Sequence, residues 1–256
     1  MKKNQTIPQS ESSNVSQWLA PFQLLCDLFY PRQCQICAST DRCERFAFLC
    51  DSCFEGVSRI QPPWCDRCGL PFPDASTFSG ECANCSEITL HFDRALGIVR
   101  FNGVARIAIH SLKYSRQTYW TRALQAWFVE GATALSEPED FDLILPVPLH
   151  PWRERNRGFN QAWFLAQSLS KLWKIPTSRN ALVRVRATET QTHLDRVERL
   201  QNLKDAFKVK TPRDISGKRI LLVDDVLTTG ATTSECSRVL KKAGAISILV
   251  FTLARG

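Results

Sequence analysis

Apolar positions along the last two thirds of the chain alternate between two rhythms. Short runs with few interruptions, Gly97-Ile98-Val99-Arg100-Phe101, Leu143-Ile144-Leu145-Pro146-Val147-Pro148, Ile220-Leu221-Leu222-Val223 and Ile246 to Leu253, predict strands. The Leu143 and Ile220 runs have the unbroken character of strands buried on both faces, the first stopped by proline. Between these runs apolar residues return every three or four positions. Val104, Ile107, Ala108, Ser111 and Leu112 predict one helix, and Leu124, Phe128 and Leu135 a second. Ala162, Leu165, Ala166, Leu169, Leu172 and Trp173 predict a third, with Asn160 as its cap, and a fourth runs to about Ala243. Shorter strands, Leu182 to Val185 and Ala206 to Val209, flank a polar stretch. Strands alternating with helices predict an α/β fold with a doubly wound parallel sheet.

The first third lacks this rhythm. Residues 1–17 are polar and rich in Ser, Gln and Asn, which predicts disorder. Trp18 to Tyr30 is apolar but short, and Pro21 and Asp27 interrupt it, so it suits a docking helix better than a membrane anchor. No run approaches the roughly 18 apolar residues that a membrane span needs, so no stable membrane insertion is expected. Two lysines near the start have no apolar stretch directly behind them, which argues against a secretory signal and for a reducing compartment. The expected organisation is a disordered start (1–17), a small cysteine-rich module (18–90) and an α/β domain (91–256).

Eleven cysteines occur, and eight form four C-x-x-C pairs: Cys34/Cys37, Cys50/Cys53, Cys65/Cys68 and Cys82/Cys85. Two thiolates on one tight turn chelate half of a tetrahedral Zn²⁺ shell, and two such turns complete it. In a reducing compartment this spacing favours metal over disulfides, so two closed, structural zinc sites are expected. Sequential pairing makes each unit a self-contained hairpin and is favoured over an interleaved pairing of first with third. Cys26, Cys43 and Cys236 are left over, and Cys236 is expected in the core.

The chemistry concentrates near the C-terminus. Ile220–Val223 leads into Asp224-Asp225, two apolar residues, and then Thr228-Thr229-Gly230-Ala231-Thr232-Thr233. Acids at the carboxyl end of a parallel strand stand where open α/β sheets bind ligands. Carboxylates accept hydrogen bonds from vicinal hydroxyls, and a loop that opens a helix offers amides to a phosphate, so a sugar phosphate fits. A second segment, His150 to Phe159, leaves another strand end and carries Arg153, Arg155 and Arg157 in alternation, read as a basic loop facing the same crevice. The net charge is +8, and His150–Arg213 alone holds 14 Lys/Arg against 5 Asp/Glu, a field that attracts polyphosphates and nucleic acid alike.

The Asp-Asp and Thr-Thr-Gly-x-Thr pattern resembles the phosphoribosyl-pyrophosphate (PRPP) motif of type I phosphoribosyltransferases. Together with the four C-x-x-C pairs, His110-Ser111-Leu112-Lys113-Tyr114 and Arg157-Gly158-Phe159-Asn160-Gln161, it resembles the ComF family of competence-associated, phosphoribosyltransferase-like proteins, from about Cys34 to Leu253. The resemblance implies an N-terminal double zinc ribbon and a role in natural transformation. It implies handling of single-stranded DNA beside other competence proteins, or use of DNA as a nutrient. By the same resemblance, Asp224 and Asp225 hold the ribose hydroxyls and orient the Mg²⁺ that accompanies PRPP, and Thr228 to Thr233 hold the 5′-phosphate. Arg153, Arg155 and Arg157 take pyrophosphate or DNA. Trp152, Phe159, Trp64 and Phe72 are available for base stacking. An active phosphoribosyltransferase of nucleotide or nucleobase salvage is the alternative; no residue is identifiable as an acceptor base, and His193 reads as a bystander.

Overall fold

Residues 33–41, 45–72, 82–86, 88–135, 137–187 and 202–256 are described by a computed structural model. The expected docking helix at Trp18–Tyr30, Cys26, Cys43 and the polar segment around His193, Arg196 and Arg199 lie outside the described residues. The chain divides into two compact units between Glu55 and Gly56. That division falls upstream of the 90/91 boundary expected from the sequence, so the second cysteine set shares a body with the sheet.

In the first unit, Cys34 and Cys37 lie on a turn closed by Ala38 N–H donating to the Cys34 carbonyl (2.9 Å). Phe46 bridges Leu49, and a five-residue helix follows at Asp51–Glu55 (α1). Phe46, Phe48 and Phe54 cluster at centroid distances of 5.7 and 5.4 Å and supply an apolar floor too small to stand without a cross-link.

The second unit begins with the second ribbon. Trp64 bridges Pro71, and a four-residue helix, Ala83–Ser86 (α2), starts directly after Cys82 and carries Cys85. Then come β1 (Arg94–Arg100), α3 (Gly103–Tyr114), α4 (Trp120–Leu135), β2 (Leu143–Pro146), α5 (Pro151–Arg157), α6 (Gln161–Trp173), β3 (Leu182–Arg184), β4 (Phe207–Val209), β5 (Arg219–Leu227), α7 (Ala231–Lys242) and β6 (Ser247–Arg255). Strands β1, β6, β5 and β2 form a four-stranded sheet in that order, every pairing parallel. Strands β3 and β4 form a separate antiparallel pair.

The expected parallel sheet is present, and its central strands are buried on both faces, as their unbroken apolar runs require: Ile220 to Val223 are all 0% exposed. Helix α4 packs so tightly on β1 that a Cβ on Gly131 would stand 2.0 Å from Ile98 Cγ2. Cys65, Cys68, Cys82 and Cys85 belong to the same buried cluster as Phe92, Leu145, Leu222 and Val250. The second ribbon is stitched to β1 by backbone bonds, Ala95 N–H to the Arg67 carbonyl (2.8 Å) and Ile60 N–H to the Ile98 carbonyl (2.9 Å).

Candidate functional site

Strand β2 pairs with β5 only as far as Pro146 opposite Val223, where the Val147 amide makes the last contact, to the Val223 carbonyl (2.8 Å). Strand β5 continues against β6, with Asp224 opposite Thr252 and Leu227 opposite Arg255. Asp224 and Asp225 therefore stand one step beyond the point where their other neighbour departs. The chain after β5 returns through α7 to β6 on one side, whereas β2 leaves on the other. Ligands of open α/β sheets bind at such a switch point.

Successive residues of a strand face opposite sides, and the two acids accordingly meet different partners. Asp225 receives Lys113 Nζ at 2.6 Å and, from Gln161 Nε2, a long hydrogen bond of 3.4 Å. Asp224 accepts the Asp225 amide at 2.8 Å. Burial first, and then the neighbouring Asp225 charge, push the Asp224 carboxyl up to about 8, with Lys113 pulling the other way. Arg184, 8% exposed and 5.4 Å from the Phe207 ring, feels the Asp224 charge, as Arg157 feels both acids. The site is an acid pair ringed by cations.

The loop after β5 turns on Gly230, whose φ of 80° is left-handed and favours a residue without Cβ. Helix α7 starts directly behind it, so first-turn amides without intrahelical partners point back toward the strand end. Thr228 is exposed and Thr229 and Thr232 are half-buried, whereas Ala231 and Thr233 are buried. The Thr233 hydroxyl donates to the Gly230 carbonyl (3.0 Å) and so braces the turn.

The segment expected to be a basic loop is instead α5. Pro151 occupies the first turn, where a missing N–H costs nothing. His150 caps the helix by accepting the Trp152 amide, and Gly158, at φ 86°, ends it. Helical spacing places Arg153 and Arg157 on one face and Arg155 away from it. Arg153 and Arg157, with Lys113, Tyr114, Arg116 and Trp152, line a cavity of about 380 Å³; Arg155 does not. Trp152 is 63% exposed, but Phe159 is buried beside Phe164 and is removed as a stacking platform.

Sequence reasoning missed Lys113, Gln161 and Arg184 as site residues. Lys113 and Gln161 sit in strings already singled out, but only tertiary proximity shows that they converge on Asp225. Asn160 is the expected cap, accepting the Ala162 amide (3.0 Å), and it also donates to the Val147 carbonyl (3.0 Å), which ties the end of β2 to the start of α6.

Both cysteine sets assemble in the sequential pairing. The sulfurs of Cys34, Cys37, Cys50 and Cys53 lie within 4.8 Å of one another, as do those of Cys65, Cys68, Cys82 and Cys85. Four convergent thiols are the soft tetrahedral set that structural zinc takes. Burial works to raise the Cys68 thiol, but hydrogen bonds from Arg255 and Cys82 outweigh it and bring Cys68 to about 7, toward the thiolate a metal needs. Cys236 is 0% exposed on α7, as expected of a core residue. Among the described residues no helix is long and apolar enough to cross a membrane.

A parallel sheet carrying an acid pair at its switch point and a Thr/Gly turn opening a helix, preceded by two tetra-cysteine ribbons, defines a zinc-ribbon protein of the phosphoribosyltransferase fold. Residues 25–87 match the double zinc ribbon domain family and residues 156–256 the phosphoribosyl transferase domain family. The chain is 34% identical over 211 residues to "Competence protein F" of Haemophilus influenzae, covering 81% of this chain and 90% of that protein. It is 32% identical over 213 residues to "DNA utilization protein YhgH" of Escherichia coli strain K12, with the same coverage of 81% and 90%. Against "Competence protein ComFC" of Bacillus subtilis strain 168 the identity is 28% over 216 residues, covering 81% and 84%. The chain belongs to the competence protein F family.

Proposed function

We propose that the crevice beside β5 binds PRPP or a related phosphoribosyl ligand with Mg²⁺, and that the protein handles single-stranded DNA in natural transformation or DNA utilisation, in the cytoplasm and beside other competence proteins. The observation that carries this reading is the placement of Asp224-Asp225 immediately past the end of β2, between the amides of the Gly230 turn and the cations Lys113 and Arg157. The acids suit ribose hydroxyls, the turn suits the 5′-phosphate, and the Arg153/Arg157 face suits a pyrophosphate or a DNA backbone. Magnesium supplies charge neutralisation for a bound pyrophosphate. The exposed ring of Trp152 beside this basic face offers a stacking surface for a base.

Among the described residues, the charged groups that face the acid pair are cations, which bind and orient an anion but accept no proton from an incoming nucleophile. Binding is therefore the better-supported role, with transferase chemistry secondary. Asp225→Asn separates the two when assayed in parallel for PRPP binding, single-stranded DNA binding and transformation. Loss of PRPP binding together with transformation supports a phosphoribosyl ligand as the working ligand. Wild-type transformation without PRPP binding sinks it. The helix geometry adds a sharper contrast: Arg157→Ala should weaken PRPP binding about tenfold or more, the usual scale for a charge-assisted hydrogen bond, while Arg155→Ala leaves it within about twofold. Equal losses would contradict the assigned face.

A further inference from the structure

Arg255, the last residue of β6, is only 3% exposed, and its guanidinium joins two places that the sequence keeps far apart. Nε donates to the Cys68 carbonyl (3.1 Å) and Nη2 to the Cys68 sulfur (3.6 Å). Nη1 donates to the carbonyls of Leu227 (3.2 Å), Thr228 (2.7 Å) and Gly256. One side of the fork thus holds a ligand of the second cysteine cluster, and the other holds the chain where β5 passes into the Thr/Gly turn. The path is kept open by Gly97 on β1, whose Cβ would stand 2.6 Å from Arg255 Cβ.

A buried guanidinium cannot shed its charge and needs a compensating partner. Leu227 and Thr228 offer only neutral carbonyls. Cys68 meets the guanidinium with both its carbonyl and its sulfur, so the fork is built onto a residue whose place a bound metal fixes. We propose that Arg255 is a positioning residue that couples metal occupancy of the Cys65/Cys68/Cys82/Cys85 cluster to the order of the Thr228–Thr233 turn. With metal present, the fixed Cys68 knuckle anchors one arm of the guanidinium and the other arm fixes the carbonyls from which the turn departs. With metal absent, the Cys65/Cys68 knuckle is no longer pinned, the anchor shifts, and the turn amides lose their fixed direction. The consequence for ligand rests on the phosphoribosyl reading of the turn; the coupling itself does not.

Amide hydrogen exchange on the full chain, read by mass spectrometry in peptides spanning 226–234, tests the coupling without ligand. Stripping zinc with a chelator should speed exchange of the turn amides in the wild type about tenfold or more, while a β6 peptide spanning 247–253 keeps its protection. Arg255→Met should show the fast turn with zinc still bound, and stripping should add little; Arg255→Lys, which keeps the charge without the fork, should fall between. Zinc release from the slower of the two clusters should also be faster in Arg255→Met, on the scale of about 10- to 100-fold seen for outer-shell partners. Should Arg255→Met fail to fold, Cys85→Ala leaves both Arg255 and Cys68 in place, and its turn must exchange as in the stripped wild type.

An unchanged turn after stripping, a protected turn in Arg255→Met or Cys85→Ala, or equal loosening of the β6 peptide would each overturn the proposal. Inorganic phosphate titrated into the zinc-loaded wild type reports separately. Failure of phosphate to protect the turn counts against the phosphoribosyl reading and leaves the exchange result standing.

Discussion

Holding the Asp224 carboxyl up at about 8 ties the stability of the fold to pH with a sign opposite to that of most acids. An unfolded aspartate titrates near about 4, so between about 4 and 8 the folded state binds more protons than the unfolded one. Stability contributed by the neutral form is complete below that window and is lost as pH rises through it. Asp224→Asn should therefore raise stability at pH 8 and change it little at pH 4. Thermal melts at the two pH values read the difference directly; equal shifts at both would show that the gain is not electrostatic. Under the phosphoribosyl ligand proposed above, the same variant should also weaken PRPP binding, which separates what the site needs from what the fold needs. The acid pair was visible in the sequence because four apolar residues ran straight into it. Its partners Lys113 and Gln161 were not, because lysine and glutamine on helices are ordinary surface residues until a fold brings them to a carboxylate.

At the scale of elements, one helix face and one glycine decide how well the sheet is backed. Gly131 lets α4 close on β1, and a methyl group there meets Ile98, which is itself 3% exposed and has nowhere to move. Gly131→Ala should cost about 1–3 kcal/mol by overpacking, measured by denaturant unfolding, and Ile98→Ala in the same chain should recover part of that loss. If the single substitution were neutral, the packing of α4 would have to be looser than its geometry states. The strands and long helices were legible because their apolar periods extend over several turns. Helix α5 was not, because seven residues with no apolar stripe give no period to read; its punctuation, Pro151 inside the start and Gly158 just past the end, was the available signal. Strand β5 outruns the apolar run that marked it for a related reason. Pairing with β6, not hydrophobicity, carries it through Asp224 and Asp225 to Leu227.

For the molecule as a whole, the four C-x-x-C pairs announced two clusters and their spacing favoured the sequential pairing that the structure shows. What spacing does not carry is depth, since burial depends on what packs over a knuckle rather than on the knuckle itself. All four cysteines of the second cluster are buried and share a core with the sheet, while in the first Cys37 is exposed and Cys53 half-buried. Thiolates reached by solvent are the ones that climb the oxidation ladder to sulfenic acid and beyond. Peroxide should therefore disarm the protein in order, with Cys37 and its cluster oxidised and demetallated while Cys65, Cys68, Cys82 and Cys85 remain reduced. Mass-spectrometric mapping of sulfur oxidation against zinc release reads that order, and simultaneous attack on both clusters would contradict it. A cell under oxidative stress would then hold a chain with an intact crevice and a damaged first ribbon, and losing that ribbon need not close the crevice.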